Sequence, residues 1–436
     1  MKKIILLFVA LLISFASFSQ GILNLLGRSQ DLFKLFSEDK FTDAYGYFDP
    51  TFQAKVTETN MKELWAKLGE KLGKMESADV INSKTEGDFY TVVVEVKFTN
   101  DTQNFLLAFN KAEKIVGLFL QPKSSANYTL PAYADTTLYK EKEIYVKTAK
   151  HNLVGMLTSP KKGTGFPLVV LVHGSGPQDM DETFGPNKPL KDLALGLAAK
   201  GIASIRYVKR TKVYPGDFSG PFTVKEEVMD DALAALTLAR TIPEANKKQL
   251  YLFGHSLGGM LAPRMALLTP DLNGIILAAA PARTLTDIIV EQNKYMFSLA
   301  KDTSMAGKKM LDSVVKELDK TRITKLGTMK ADSALLGLPA AYWADLNSYN
   351  QVETAKKLKQ RILIVQGGYD FQVSVTDYNL WNTALGKKKN ATLKLYPDLN
   401  HMLSPQKEKG TIQQYEVPAS VSSMLVDDIT AWIKAK

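Results

Sequence analysis

Ser256 has the clearest chemical setting in the chain. It stands in Gly254-His255-Ser256-Leu257-Gly258-Gly259, directly after the apolar run Tyr251-Leu252-Phe253 and before a helix-like stretch from Met260. A serine at such a strand-to-helix turn is thrust out above a sheet, because glycines clear the crowded backbone around it. Its neutral hydroxyl is a weak nucleophile and needs a general base within hydrogen-bond reach. Of the four histidines, His255 adjoins the serine and cannot fold back onto it, while His151 and His173 precede it. His401 alone follows it, in a loop just past the apolar run Leu393 to Tyr396, at the carboxyl edge where such sheets bind ligands. The base needs an acid to hold its tautomer. Asp370, just beyond the run Arg361 to Val365, is favoured; Asp377, in a following helix capped by Ser374, is the alternative. A tetrahedral intermediate also demands prearranged N–H donors. The Leu257 amide supplies one. The loop His173-Gly174-Ser175-Gly176-Pro177 supplies the second, from Ser175 or alternatively Gly174.

These groups need one sheet edge to gather on. Short apolar runs at Leu168 to Val172, Ile202 to Ile205, Leu250 to Phe253, Ile275 to Ala279, Ile362 to Val365 and Leu393 to Tyr396 alternate with helical patterns such as Val228, Ala232, Ala235, Leu236 and Ala239. That alternation predicts an α/β domain over 138–436: a mostly parallel sheet with helices on both faces, opened by a hairpin around Ile144 to Thr148 and Leu153 to Thr158. From about Thr284 to Asn350 strand signals stop, which predicts an all-helical, lid-like insertion. Phe297 and Trp343 in it are expected to wall a substrate pocket, with His173 bracing the pocket's edge.

Residues 28–121 read as a separate small α+β domain. Leu32, Phe33, Leu35 and Phe36, then Leu64, Trp65, Leu68 and Leu72, have helical spacing, and Val92, Val94 and Val96 alternate as in a strand. A Pro- and Ser-containing linker is expected over 122–137. At the start, Lys2 and Lys3 precede an apolar run from Ile4 to Ile13, with small residues at Ser17 and Ser19, the pattern of a signal peptide over 1–19 cleaved near Ser19/Gln20. Export to the periplasm or outside the cell, without a stable membrane anchor, is the expectation. The 436 residues contain no cysteine, which removes thiol catalysis, disulfide scaffolds and iron–sulfur clusters. The excess of ten positive charges is dispersed except at Lys387-Lys388-Lys389 and gives no nucleic-acid footprint.

The motifs around His173, Ser256, Asp370 and His401 make the chain resemble the α/β-hydrolase superfamily. It is most similar to exported bacterial esterases of the serine-aminopeptidase-like or dienelactone-hydrolase-like group that carry an N-terminal domain of cystatin-like or nuclear-transport-factor-like topology. The resemblance implies a serine hydrolase acting on short-chain acyl esters of small molecules, with no cofactor and no metal. A peptidase is the alternative, with Asp179, Asp181 and Glu182 recognising a substrate amine; a non-catalytic binding protein is a lesser one. One departure is visible. Such proteins often continue Arg-Tyr-Asp-Lys-Arg-Gly after the fourth strand, whereas this chain has Arg206-Tyr207-Val208-Lys209-Arg210-Thr211. The shape of that cleft-edge loop is therefore not carried over, and neither the oligomeric state nor the natural substrate is implied.

Overall fold

The computed structural model describes residues 25–86, 89–121, 128–218, 220–301 and 304–435. The expected signal peptide and residues 122–127 of the expected linker lie outside them. The chain divides into two compact units, up to Lys123 and from Ser124 onward.

In the first unit, helices α1 (residues 25–37), α2 (Phe41–Tyr45), α3 (Pro50–Gln53) and α4 (Glu58–Leu72) precede strands β1 (Met75–Glu86), β2 (Phe89–Phe98), β3 (Thr102–Phe109) and β4 (Ile115–Gln121). The strands form an antiparallel meander in chain order. Its core joins Val92, Val94 and Val96 of β2 and Phe105 and Leu107 of β3 to Leu32, Phe33 and Phe36 of α1. Thr57 starts α4 with a capping box closed by Asn60, which satisfies donors that a helix end leaves open. The sequence reading did not anticipate β1. Its polar stretch pairs with β2 through two register shifts, between Met75 and Ser77 and between Val80 and Asn82, and such breaks erase the alternation that marks a strand.

The second unit is built on eight strands: β5 (Tyr139–Lys147), β6 (Asn152–Pro160), β7 (Phe166–Val172), β8 (Ala203–Tyr207), β9 (Ala245–His255), β10 (Gly274–Ala278), β13 (Arg361–Gly367) and β14 (Ala391–Tyr396). Their spatial order is β14-β13-β10-β9-β7-β8-β6-β5. β5 and β6 pair antiparallel, β6 meets β8 antiparallel, and the remaining ladders are parallel. Alternate residues of β7 go to opposite faces. Leu168, Val170 and Val172 pack under α7 (Asp230–Ala239) and α8 (Leu257–Leu268), while Val169 and Leu171 pack under α5 (Pro189–Ala199) and α14 (Ser423–Lys434). Burial on both faces is why these strands read as unbroken apolar runs. After β7 the chain crosses to β8 on one side, whereas β9 lies on the other side and leads onward to β10. The carboxyl ends of β7 and β9 therefore flank the switch point where open α/β sheets form their crevice.

Two expectations are corrected. Residues 128–137 are not free linker: the Tyr133 hydroxyl donates to Val421 O at 2.9 Å, and the Tyr128 hydroxyl donates to the Asp192 carboxylate at 2.8 Å. Nor is the insertion all helical. It contains α9 (Leu285–Ala300), α10 (Met305–Asp319), a hairpin of β11 (Ala334–Leu335) and β12 (Leu338–Pro339), and α11 (Ala340–Ser348). Two-residue strands are too short to show a period. The short α6 (Arg210–Val213) follows β8, α12 (Gln351–Lys357) leads into β13, and α13 (Val375–Leu385) follows β13.

Candidate active site

The Ser256 turn is strained. Its φ of 51° and ψ of −117° lie where L-residues rarely sit, and such outliers persist only when their surroundings over-determine them. Here the surroundings are backbone. A Cβ on Gly254 would stand 2.3 Å from Gly258 O, and one on Gly258 would stand 2.5 Å from His173 O. The Ser256 amide is tied to Ala278 O at 2.9 Å. Ser256 caps α8, and its half-buried side chain lines a cavity.

Asp370 lies fully buried past β13. One carboxylate oxygen accepts the amides of Gln372 and Val373, both at 2.8 Å; the other accepts Gln366 Nε2 at 3.1 Å and faces His401 Nδ1 at 2.8 Å. The two loops can lie so close because Gly367 and Gly368 lack side chains: a Cβ on either would stand 2.2 Å from Leu399 O or 2.4 Å from Pro397 O. With Nδ1 engaged by Asp370, Nε2 is the nitrogen free to serve as base. Among the described residues no hydrogen bond joins Nε2 to Ser256 Oγ, and such bonds in unliganded sites tighten only with substrate. Asp377 faces elsewhere. It accepts the amides of Ala282 and Arg283 at 2.9 and 3.1 Å and pairs with Arg283 Nη2 at 2.7 Å, so it anchors the segment after β10.

Among the expected oxyanion donors, Gly174 is excluded, since its amide donates to Glu182 Oε1 at 2.7 Å. Leu257 opens α8, where amides have no intrahelical acceptor. Ser175 lines the cavity beside Ser256.

The cavity measures about 890 Å³, and its wall is mostly apolar, with Phe222, Met260, Ile289, Leu338, Tyr342 and Trp343 among its residues. Trp343 is thus placed as expected, while two other expectations need correction. Phe297, half-buried on α9, does not line the cavity; the face of α9 turned inward carries Leu285, Ile288, Ile289 and Gln292 instead. His173 is buried behind the cavity, edge-on to Tyr207. Burial drops its pKa to about 4 despite the Glu182 carboxylate, leaving a neutral brace.

Other site residues escaped the sequence reading or were misread. His255 lies buried, with Nδ1 3.0 Å from Glu182 Oε1 and Nε2 2.8 Å from His401 O. Both nitrogens face acceptors, as in an imidazolium. Burial opposes that charge, but the Glu182 carboxylate prevails and raises the His255 pKa. Burial likewise opposes ionisation of Glu182, and His255, His173 and the Gly174 amide prevail to bring it down to about 2. Glu182 therefore serves the fold of the site rather than a substrate amine. Asp181 is taken up by Arg206 and Lys188, and Asp179 by the amides of Asp181 and Thr183. In the departing loop, Lys209 is buried against Glu227 at 3.0 Å, and Arg210 Nε donates to Asp231 at 2.8 Å. The signal for Glu182 was its place in Asp179-Met180-Asp181-Glu182 directly beyond the glycine loop; nothing in the sequence marked Glu227.

A serine on a strained turn at the switch point of this sheet, with an Asp–His pair from the loops after β13 and β14, defines the class: the chain belongs to the α/β-hydrolase superfamily. Esterase EstD of Thermotoga maritima is 32% identical over 397 residues, 91% of this chain and 92% of that protein. The family model described as serine aminopeptidase, S33, matches residues 219–408, and that of a protein of unknown function, DUF3887, matches residues 29–118. Similar solved structures include Est1E from Butyrivibrio proteoclasticus (16% identity, 67% of this chain and 99% of that one, TM-score 0.43). A second is an esterase of Pyrococcus furiosus (15%, 72% and 98%, 0.42).

Asp370→Asn should lower ester turnover by a factor on the order of 10⁴ with the fold retained, whereas Asp377→Asn should cost stability and leave kcat of the folded fraction within about threefold. Steady-state kinetics beside urea unfolding separates the two. A pH effect also follows. The His255 contribution is complete below the ordinary imidazole pKa of about 6.5 and is lost as pH climbs through the raised folded value. The Glu182 contribution is complete above the ordinary carboxylate range and is lost only towards pH 2. Urea midpoints of the wild type should therefore decline above about pH 6.5, and His255→Gln should flatten that decline.

Proposed function

We propose that the chain hydrolyses esters of apolar carboxylic acids through an acyl-enzyme on Ser256. The observation that carries this reading is the large, mostly apolar cavity lined by Ser256, whose neighbour His255 holds the backbone of His401, the partner of Asp370. Ser256 Oγ bonds to the ester carbonyl carbon as its proton passes to His401 Nε2. The carbonyl oxygen takes the negative charge and is met by the Leu257 and Ser175 amides. As the tetrahedral species collapses, the C–O bond to the alcohol breaks and His401 returns the proton to it; water then repeats the cycle on the acyl group. The name of the 32%-identical relative, an esterase, supports the ester class. Against an aminopeptidase reading, the two carboxylates on the cavity wall are both engaged, Glu227 with Lys209 and Glu317 with Lys320.

The cavity volume lies in the upper part of the range that encloses drug-sized ligands, about 300–1,000 Å³, so it has room for acyl groups beyond the short ones. On nitrophenyl esters kcat/KM should rise from acetyl towards medium chains, and aminoacyl anilides should be poor substrates. Ser256→Ala should lose roughly 10³-fold or more. Ile289→Trp, which narrows the cavity, should shift the preference to shorter acyl groups, while Phe297→Ala should not move it. A flat chain-length profile, or anilides cleaved as fast as esters, would refute the reading.

Export remains part of this proposal, on the strength of Lys2-Lys3, the apolar run after them and the small residues at Ser17 and Ser19. Intact mass of the exported protein should start at Gln20; a chain retaining residues 1–19 would count against it.

A further inference from the structure

The loop after β7 offers few amides to an oxyanion, and side chains from elsewhere have taken two of them. Gly174 N–H donates to Glu182 Oε1 at 2.7 Å, and Gly176 N–H donates to Glu227 Oε1 at 2.9 Å. Pro177 has no N–H. Ser175, between the two tied glycines, keeps an amide that bonds to no acceptor among the described residues. The intervening carbonyl is fixed too, since Lys209 Nζ donates to Gly174 O at 2.9 Å. Three successive peptide groups are thus pinned, and the Ser175 N–H is the one donor among them left open.

The two carboxylates come from different places. Glu182 lies beyond the loop itself, while Glu227 sits on a single wide turn, Lys225–Met229, with the broad hydrogen-bond spacing that often marks functional sites. Neither brings net negative charge to the site. His255 stands 3.0 Å from Glu182, and Lys209 stands 3.0 Å from Glu227. A bare carboxylate so near would oppose the oxyanion strongly where water is scarce. Tyr342 completes the second group by donating its hydroxyl to Glu227 Oε2 at 2.7 Å.

We infer that Glu182 and Glu227 are positioning residues of the oxyanion hole: each ties back one amide flanking Ser175, so that Ser175 N–H is left as the donor aimed at the developing oxyanion. This rests on the ester-hydrolase reading and goes beyond it, because it assigns a role in transition-state stabilisation to two residues that act through the backbone amides they hold.

The test compares Glu227→Ala, Glu227→Gln and Glu182→Gln with the wild type, with active sites counted by fluorophosphonate titration to its end point so that misfolded protein drops out. The probe is an alkyl trifluoromethyl ketone. Ser256 Oγ adds to its carbonyl carbon, the proton moves to His401, and the ketone oxygen becomes an oxyanion in the hole. The matching secondary alcohol, which forms no oxyanion, is the control ligand. Glu227→Ala should lower kcat per active site about 10²-fold with KM within about threefold, and should raise the ketone Ki by the same factor while the alcohol Ki stays put. Glu227→Gln and Glu182→Gln, which keep a carbonyl acceptor for the glycine amide, should fall between Ala and wild type on both readouts. Loss of kcat with an unchanged ketone Ki, or full kcat per active site in Glu227→Ala, would overturn the inference. A wild type that reacts with the fluorophosphonate but turns over no ester would sink the ester reading alone, since the ketone still reports on the hole.

Discussion

The carboxylate of Glu182 is the point through which three separate loops of the site are held to one another. It accepts the Gly174 amide from the loop after β7 and faces His255 from the turn after β9; His255 in turn reaches His401 O in the loop after β14. Each loop comes from a different strand, and no ladder sets their spacing beyond the strand ends. Taking a carboxylate and an imidazolium out of water costs several kcal/mol per ion, repaid only by good geometry and further hydrogen bonds. The pair is buried and reaches outward to the Gly174 amide and His401 O, which explains how loops, ordinarily the mobile parts of a fold, can hold the Ser256 turn, the His401 loop and the glycine loop in register.

The sheet supplies the coarse placement and the glycines the fine one. Parallel strands deliver β7, β9 and β13 to one edge. Whether their loops can approach closely enough then depends on missing side chains: Gly254 and Gly258 at the serine turn, Gly367 and Gly368 beneath the histidine loop. Steric room and the buried ion pair act together, since one permits an approach that the other maintains.

Much of this was legible because its signals are local. The strands of the large sheet are buried on both faces, so they appear as plain apolar runs, and Gly254-His255-Ser256-Leu257-Gly258 carries its chemistry in five consecutive residues. Asp370 could be preferred to Asp377 because it directly follows a strand, and the structure pairs it with His401 while Asp377 turns to Arg283. What escaped was non-local or weakly patterned. Strand β1 is polar and twice shifted in register, and residues 128–137 pack through two tyrosines that carry no period. Glu182 read only as one of three acids that could meet a substrate amine, since only the fold reveals that it is buried against His255. Glu227 and Tyr342 are 115 positions apart in sequence, and no spacing rule connects them.

The insertion between β10 and β13 builds much of the cavity wall, yet Ser256, Asp370 and His401 all lie outside it. Such a segment could be exchanged wholesale to reshape the cavity, were it attached to the Ser256 site only by packing. The hydroxyl of Tyr342 on α11 breaks that independence, since it is bound to the same carboxylate that holds the Gly176 amide. A replacement segment must therefore bring a donor to that spot or leave a buried oxygen unpaired. The cavity wall and the glycine loop beside Ser256 are thus coupled through one phenol.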